Sequence, residues 1–175
     1  MNEIAVVALT REETRGAVQH LADILIACVH GGASVSFMAP LSREKAESFW
    51  HGVAEAVGKG ERDLLVAKVQ ATGELVGTVQ VLLKQTENQP HRASIVKMLV
   101  HPDARGRGVG TKLLSCAEKL ARSSNKTLLV LDTATGSDAE RLYDRMGWNR
   151  VGVIPDYALW PDGRPCSTTI FYKTL

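Results

Sequence analysis

A chain of 175 residues with 45% apolar content can bury one core but is short for two, so a single domain over residues 1–175 is expected. Its 21 basic and 19 acidic residues leave a formal charge of only +2 without long runs of one sign, which excludes the electrostatic footprint of a nucleic-acid or membrane-surface partner. Cys28, Cys116 and Cys166 are odd in number, lack zinc or redox spacing and read as reduced; with Glu3 where a secretory leader would be basic, and no apolar run near the roughly 18 residues of a membrane span, a cytoplasmic protein is expected.

Residues 3–9 read as a short apolar strand, and residues 11–29 place Val18, Leu21, Leu25 and Cys28 at helical spacing. That helix should stop at Gly31-Gly32, with residues 29–38 forming a loop. Ser42 then caps a second helix over residues 42–57, in which Ala46, Phe49, Trp50 and Val53 make the apolar face. Leu64 to Val69 and Leu75 to Leu83 form a hairpin around the turn at residues 71–74. After a polar loop at residues 84–92, the run from Ser94 to Val100 is continuous enough to be an interior strand, ended by His101-Pro102.

A glycine-rich loop follows, and then a helix over residues 109–122 with Leu113, Leu114, Ala117, Leu120 and Ala121 on one face. Thr127 to Leu131 is a further buried strand. Ser137 and Glu140 have the spacing of a capping box, opening a helix that runs through Leu142, Tyr143 and Met146 to Gly147. Two strands close the chain, near Val151 to Ile154 and Thr168 to Lys173, separated by Pro161-Asp162-Gly163. The sum is a mixed α/β (α+β) fold, and architecture alone assigns no activity.

Chemistry enters at Arg105-Gly106-Arg107-Gly108-Val109-Gly110-Thr111, between an interior strand and an amphipathic helix. Glycines allow close backbone approach, and the free amides and dipole of a helix start attract phosphate oxygens. A tight turn with solvated arginines is the bland alternative, disfavoured by three alternating glycines with flanking arginines. A P-loop needs Gly-Lys before Ser or Thr, whereas Gly110 is followed by Thr111 and only then Lys112. A dinucleotide fold needs its glycines after the first strand and a third glycine where Thr111 stands.

The loop resembles the acetyl-CoA loop of the GNAT acetyltransferases, Gln/Arg-x-x-Gly-x-Gly/Ala, met by Arg105, Gly108 and Gly110. Val96 to Pro102 is similar to that family's central strand, and Ala139, Tyr143 and Gly147-Trp148 to its Ala-x-x-x-Tyr-x-x-x-Gly-Phe helix. His30-Gly31-Gly32-Ala33-Ser34-Val35, Phe37-Met38, Leu131-Asp132-Thr133, Gly136-Ser137, Pro161 to Arg164 and Ile170 to Leu175 further resemble the tabtoxin resistance acetyltransferases. That group carries a glutamate where this chain has Ser94, a departure that bears on the base and the substrate.

The resemblance implies a mixed, mostly antiparallel sheet of about seven strands, flanked by about four helices and splayed in the middle. In that fold a pantetheine arm inserts like an extra strand along Met98, Leu99 and Val100. Pyrophosphate would sit on the amides of Gly106, Arg107, Gly108, Val109, Gly110 and Thr111, with Arg105 adding charge and Ser137 nearby. A neutral amine would attack the acetyl carbonyl beside a backbone N–H near Leu99, with Tyr143 as the acid for the leaving thiolate and Asp132 as the candidate base. A packed tyrosine and a loop-capping aspartate are the plain alternatives for these two residues.

His30, Ser34 and Ser36 are expected to select the substrate, although a glycine pair also ends helices routinely. His20, His51, His91 and His101 lack ligand spacing, so no metal is expected. The implied activity is acetyl transfer from acetyl-CoA to a small-molecule amine, plausible in toxin or antibiotic resistance, with a homodimer as the implied assembly. A protein or peptide acetyltransferase and a noncatalytic acyl-CoA-binding regulator are the alternatives.

Overall fold

The computed structural model describes residues 3–175. Seven strands, β1 (Ile4–Leu9), β2 (Arg62–Val69), β3 (Leu75–Leu82), β4 (Arg92–Val100), β5 (Leu128–Ala134), β6 (Asn149–Leu159) and β7 (Pro165–Thr174), form one sheet in the order β1-β2-β3-β4-β5-β7-β6. Every pairing is antiparallel except β4 with β5. This parallel seam spans only Arg92–Leu128, Ala93–Leu129 and Ser94–Val130. Beyond Ser94 the two strands part, as the expected splay requires, and the gap becomes the cleft.

The helices are α1 (Arg11–Gly16), α2 (Val18–His30), α3 (Arg43–Gly58), α4 (Val109–Ser123) and α5 (Asp138–Arg145), so there are five where about four were expected. The difference lies in residues 11–29, which divide at Ala17 (φ −97°, ψ 0°) just after Gly16. Thr10 and Glu13 form a complete capping box that fixes α1 as its own short turn. Apolar spacing runs on across this break, so periodicity could not reveal it.

Two cores flank the sheet. On one face Leu21, Leu25, Trp50 and Val53 of α2 and α3 meet Leu64, Val66 and Leu99; on the other Leu113, Leu114, Ala117, Leu142 and Tyr143 of α4 and α5 meet Val79, Val81, Ile95 and Phe171. Full burial of each large aliphatic side chain contributes about 1.5–3 kcal/mol. The last hairpin is longer than expected, with β6 extending from Asn149 to Leu159 rather than over Val151 to Ile154. Pro155 and Asp156 (φ 50°), the latter in left-handed geometry, mask the alternation, and the pairing with β7 shifts register between Ile154 and Ala158.

Candidate active site

β4 is bent by a bulge. Its pairing with β3 shifts between Gln80–Val96 and Thr78–Leu99, and Lys97 takes a left-handed φ of 51°. The buried Thr78 hydroxyl donates to the Lys97 carbonyl at 3.1 Å, satisfying a group that the ladder leaves over. Gly77 must be glycine beside this bend, because a Cβ there would lie 2.9 Å from the Leu99 carbonyl oxygen.

The splayed strands open a cleft of about 1060 Å³. Its walls include Met98, Leu99 and Val100 of β4, Asp132 of β5, Ser137, and Tyr143 of α5. Arg105, Gly106, Gly108, Val109, Gly110 and Thr111 close one end. Gly106 and Gly108 both have φ of 74°, and Gly108 is the N-cap of α4, whose first backbone bond is Lys112 N–H to Gly108 C=O. The earlier α4 amides thus face the loop, as a phosphate cradle needs. Arg105 folds inward and its Nε donates to the Val100 carbonyl at 3.3 Å, which also accepts from Cys28 Sγ.

Tyr143 is 4% exposed, its ring lying 5.8 Å from Trp148 and 5.9 Å from Phe171. Burial pushes its pKa well above the ordinary phenol range, and the charge of Asp132 adds to this. The phenol is neutral and makes no hydrogen bond to another described residue. Ser137 caps α5 by accepting from the Glu140 amide at 3.1 Å. The expected capping box is half formed, because the Glu140 carboxylate accepts from the Gly136 amide (2.6 Å) and the Thr169 hydroxyl (2.6 Å).

A roof covers the other end. Gly31 to Met38 line the cleft together with Tyr157, Leu159 and Trp160 from the end of β6 and its turn. Ser34 Oγ donates to the Leu159 carbonyl at 2.8 Å and the Ala39 amide to the Pro161 carbonyl at 3.0 Å. Ser36, in left-handed geometry (φ 76°), accepts from Lys97 Nζ at 2.9 Å.

Two expected site residues fall outside the cleft lining. His30 is the last residue of α2, and its Nε2 accepts from the Leu41 amide at 3.1 Å, so it braces the base of the roof. Arg107 is exposed between two left-handed glycines and is not part of the cleft lining. The residues sequence reasoning missed are Lys97, Cys28, Tyr157, Trp160 and the α5 arginines Arg141 and Arg145, all of which line the cleft. Lys97 had a legible signal, being the single charge within Ile95 to Val100. Among the described residues no cluster of His, Cys, Asp or Glu is arranged to hold a metal ion.

Residues 32–148 match the model of the acetyltransferase (GNAT) family. A curated N-acetyltransferase from the hisH-hisA intergenic region of Azospirillum brasilense, itself uncharacterised, is 31% identical over 119 residues, covering 67% of this chain and 68% of that protein. Among solved structures, the ribosomal-protein-alanine N-acetyltransferase of Brucella melitensis superposes with a TM-score of 0.81 at 20% identity, covering 98% of this chain and 99% of that one. The Salmonella typhimurium protein yncA, solved with its cofactor acetyl-CoA, gives 0.80 at 18% identity over 99% and 94% of the two chains. The splayed sheet, the glycine loop at the start of α4 and the buried tyrosine thus have the setting of an acetyltransferase fold. The chain belongs to the GNAT family of acetyltransferases.

Proposed function

We propose that this acetyltransferase transfers an acetyl group from acetyl-CoA to the amine of a small molecule, in a resistance or detoxification role akin to that of the tabtoxin resistance enzymes it resembles in sequence. The observation that carries the small-molecule reading is the roof: residues 31–38 are tied to the β6–β7 hairpin by the Ser34 and Ala39 hydrogen bonds. A peptide would need an open groove where this cover lies.

Acetyl-CoA fits the cleft on three structural grounds. β4 and β5 separate after three residue pairs, leaving backbone for an extended arm to bond. Gly106 and Gly108 hold the left-handed turn, and at Gly110 a Cβ would come within 3.0 Å of Leu142 Cδ2. Arg105, Arg141 and Arg145 line the same cleft and supply cations for phosphates. Acetyl-CoA supplies an activated thioester when bound.

The protein's own work follows from its geometry. Tyr143, a neutral phenol on the cleft wall, gives its proton to the thiolate as the new C–N bond forms and the C–S bond breaks. An alkylammonium has a free pKa of about 10, so a proton must leave before attack. Asp132 lies within β5 and lines the cleft, which supports its assignment as the group that receives that proton. Met98, Leu99 and Val100 orient the acetyl end, while Ser34 and Ser36 belong to the cover over the amine.

We place the protein in the cytoplasm, consistent with three free cysteines. We further propose a homodimer through β6, an edge strand that exposes Val151 (64%), Val153 (45%) and Ile154. The functional test is calorimetric titration with acetyl-CoA followed by thiol release on small amines and peptides. Micromolar binding with release on small amines alone is the expected result. Release on peptides alone would transfer the activity to protein substrates, and binding without release would leave an acyl-CoA sensor.

A further inference from the structure

Lys97 is the only charged residue in the apolar run of β4, and its side chain lines the cleft. Its Nζ donates to Ser36 Oγ at 2.9 Å and lies 5.8 Å from the centre of the Phe49 ring. Both partners of this hydrogen bond have left-handed backbones, at φ 51° and 76°. Non-glycine residues in that region are strained, and the surroundings must hold them there. Two such residues meeting across one cleft position a single ammonium group.

That ammonium has no counter-ion: Lys97 forms no ion pair with a described carboxylate. Ser36 uses one of its three donors. On the neighbouring sheet surface the charges that act on Lys97 are Asp132, across the cleft and not in ion-pair contact, and the like charge of Arg62. Arg62 Nη1 donates to Gln80 Oε1 (2.7 Å), and Arg92 donates to Gln85, Gln89 and Ser94. Both arginines bond to neutral oxygens, and the buried Arg62 Nε is left without a hydrogen-bond partner among the described residues. Burial pulls the Lys97 pKa below the ordinary lysine value, partly offset by the charge of Asp132. A cation held partly dry and unpaired is costly, and an anion arriving with a ligand removes that cost.

Building on the acetyltransferase reading of this cleft, we propose that Lys97 binds a carboxylate of the substrate, which is therefore a small zwitterion carrying both an amine and an acid. Asp132 lies within electrostatic reach of Lys97 and of Tyr143, so the two ends of the ligand meet opposite charges. Phe37, Met38, Tyr157 and Trp160 cover the carbon skeleton between them. Acetylation removes the amine's charge and leaves the carboxylate on Lys97 untouched, so the acid is a handle and not a reactant.

The test is thiol release at saturating acetyl-CoA for α-, β- and γ-amino acids and dipeptides, each against its own carboxamide, alongside alkyl amines and amino sugars. The wild type is expected to favour acids over amides by at least about tenfold in kcat/KM, the range of one charged hydrogen bond. Lys97→Met brings that ratio close to one and Lys97→Arg keeps most of it, while calorimetric binding of acetyl-CoA to both variants verifies an intact fold. Equal wild-type rates on acids and amides, an unchanged ratio in Lys97→Met, or turnover of only the carboxylate-free amines would overturn the proposal while leaving amine acetylation standing. No release from any amine would remove both.

Discussion

Tyr143 and Asp132 come from different elements, α5 and β5, yet line one cleft, and the burial that raises the phenol's pKa can be checked by titration. Tyr143→Phe should bind acetyl-CoA as the wild type does and lose about 10²-fold or more in kcat, measured by thiol release. Its spectrophotometric titration up to pH about 11 should match the wild type's, because a phenol shifted this far upward adds no tyrosinate signal in that range. Glu140 gives the opposite sign. Burial alone would raise its pKa, but the bonds from Thr169 and Gly136 and the charge of Arg150 outweigh burial and leave it below the ordinary value. A depressed carboxyl stabilises the fold above its unfolded pKa of about 4.3 and loses that contribution as pH falls. Glu140→Gln should therefore melt lower than the wild type at pH 7, with the gap closing toward pH 3, as followed by thermal denaturation.

The bulge in β4 is an element-scale device made of three residues: Gly77 gives it room, Thr78 bonds the spare carbonyl, and Lys97 takes the left-handed turn. Gly77→Ala would push a methyl into the Leu99 carbonyl and should lower both the melting temperature and the affinity for acetyl-CoA. Gly108→Ala faces open space but must adopt φ 74°, which costs about 1–2 kcal/mol and should reduce the melting temperature by several degrees. These elements differ in how openly the sequence announces them. The glycine loop, the capped helices α3 and α5 and the apolar strands β2 to β5 were legible because local chemistry decides them. The division of α1 from α2 was hidden by continuous apolar spacing, and the reach of β6 by Pro155 and Asp156, which interrupt its alternation. The roof could be suspected at Ser34 and Ser36, but its attachment to Leu159 and Pro161 is a tertiary fact. His30 was grouped with the cover loop through the resemblance of that segment, whereas it ends α2 and its ring accepts a backbone amide.

At the scale of the whole molecule, the sheet consists of a four-stranded part, β1 to β4, and a three-stranded part, β5 to β7, joined by the short β4–β5 seam. A ligand lying between them touches both and should stabilise the fold by mass action, about 2.7 kcal/mol at 100 times its dissociation constant. Acetyl-CoA should thus raise the melting temperature and slow amide exchange in β4 and β5 together. The exposed edge β6 bears on assembly. Sedimentation of the wild type should give a dimer, and Val151→Lys with Val153→Lys a monomer of unchanged secondary structure; a wild-type monomer would overturn the β6 interface.

Ser34 and Leu159 stand far apart in the sequence, and the bond between them also sets an order of events during synthesis. On the ribosome the cover loop is made early and its anchor among the last residues of the described chain, so a growing polypeptide carries the catalytic-cleft cover without the latch that holds it. Long-range closure of this kind comes late and slowly in folding. Closure of the cleft by this bond is accordingly a late step, and a chain made only as far as Ser34 carries the cover loop without its anchor.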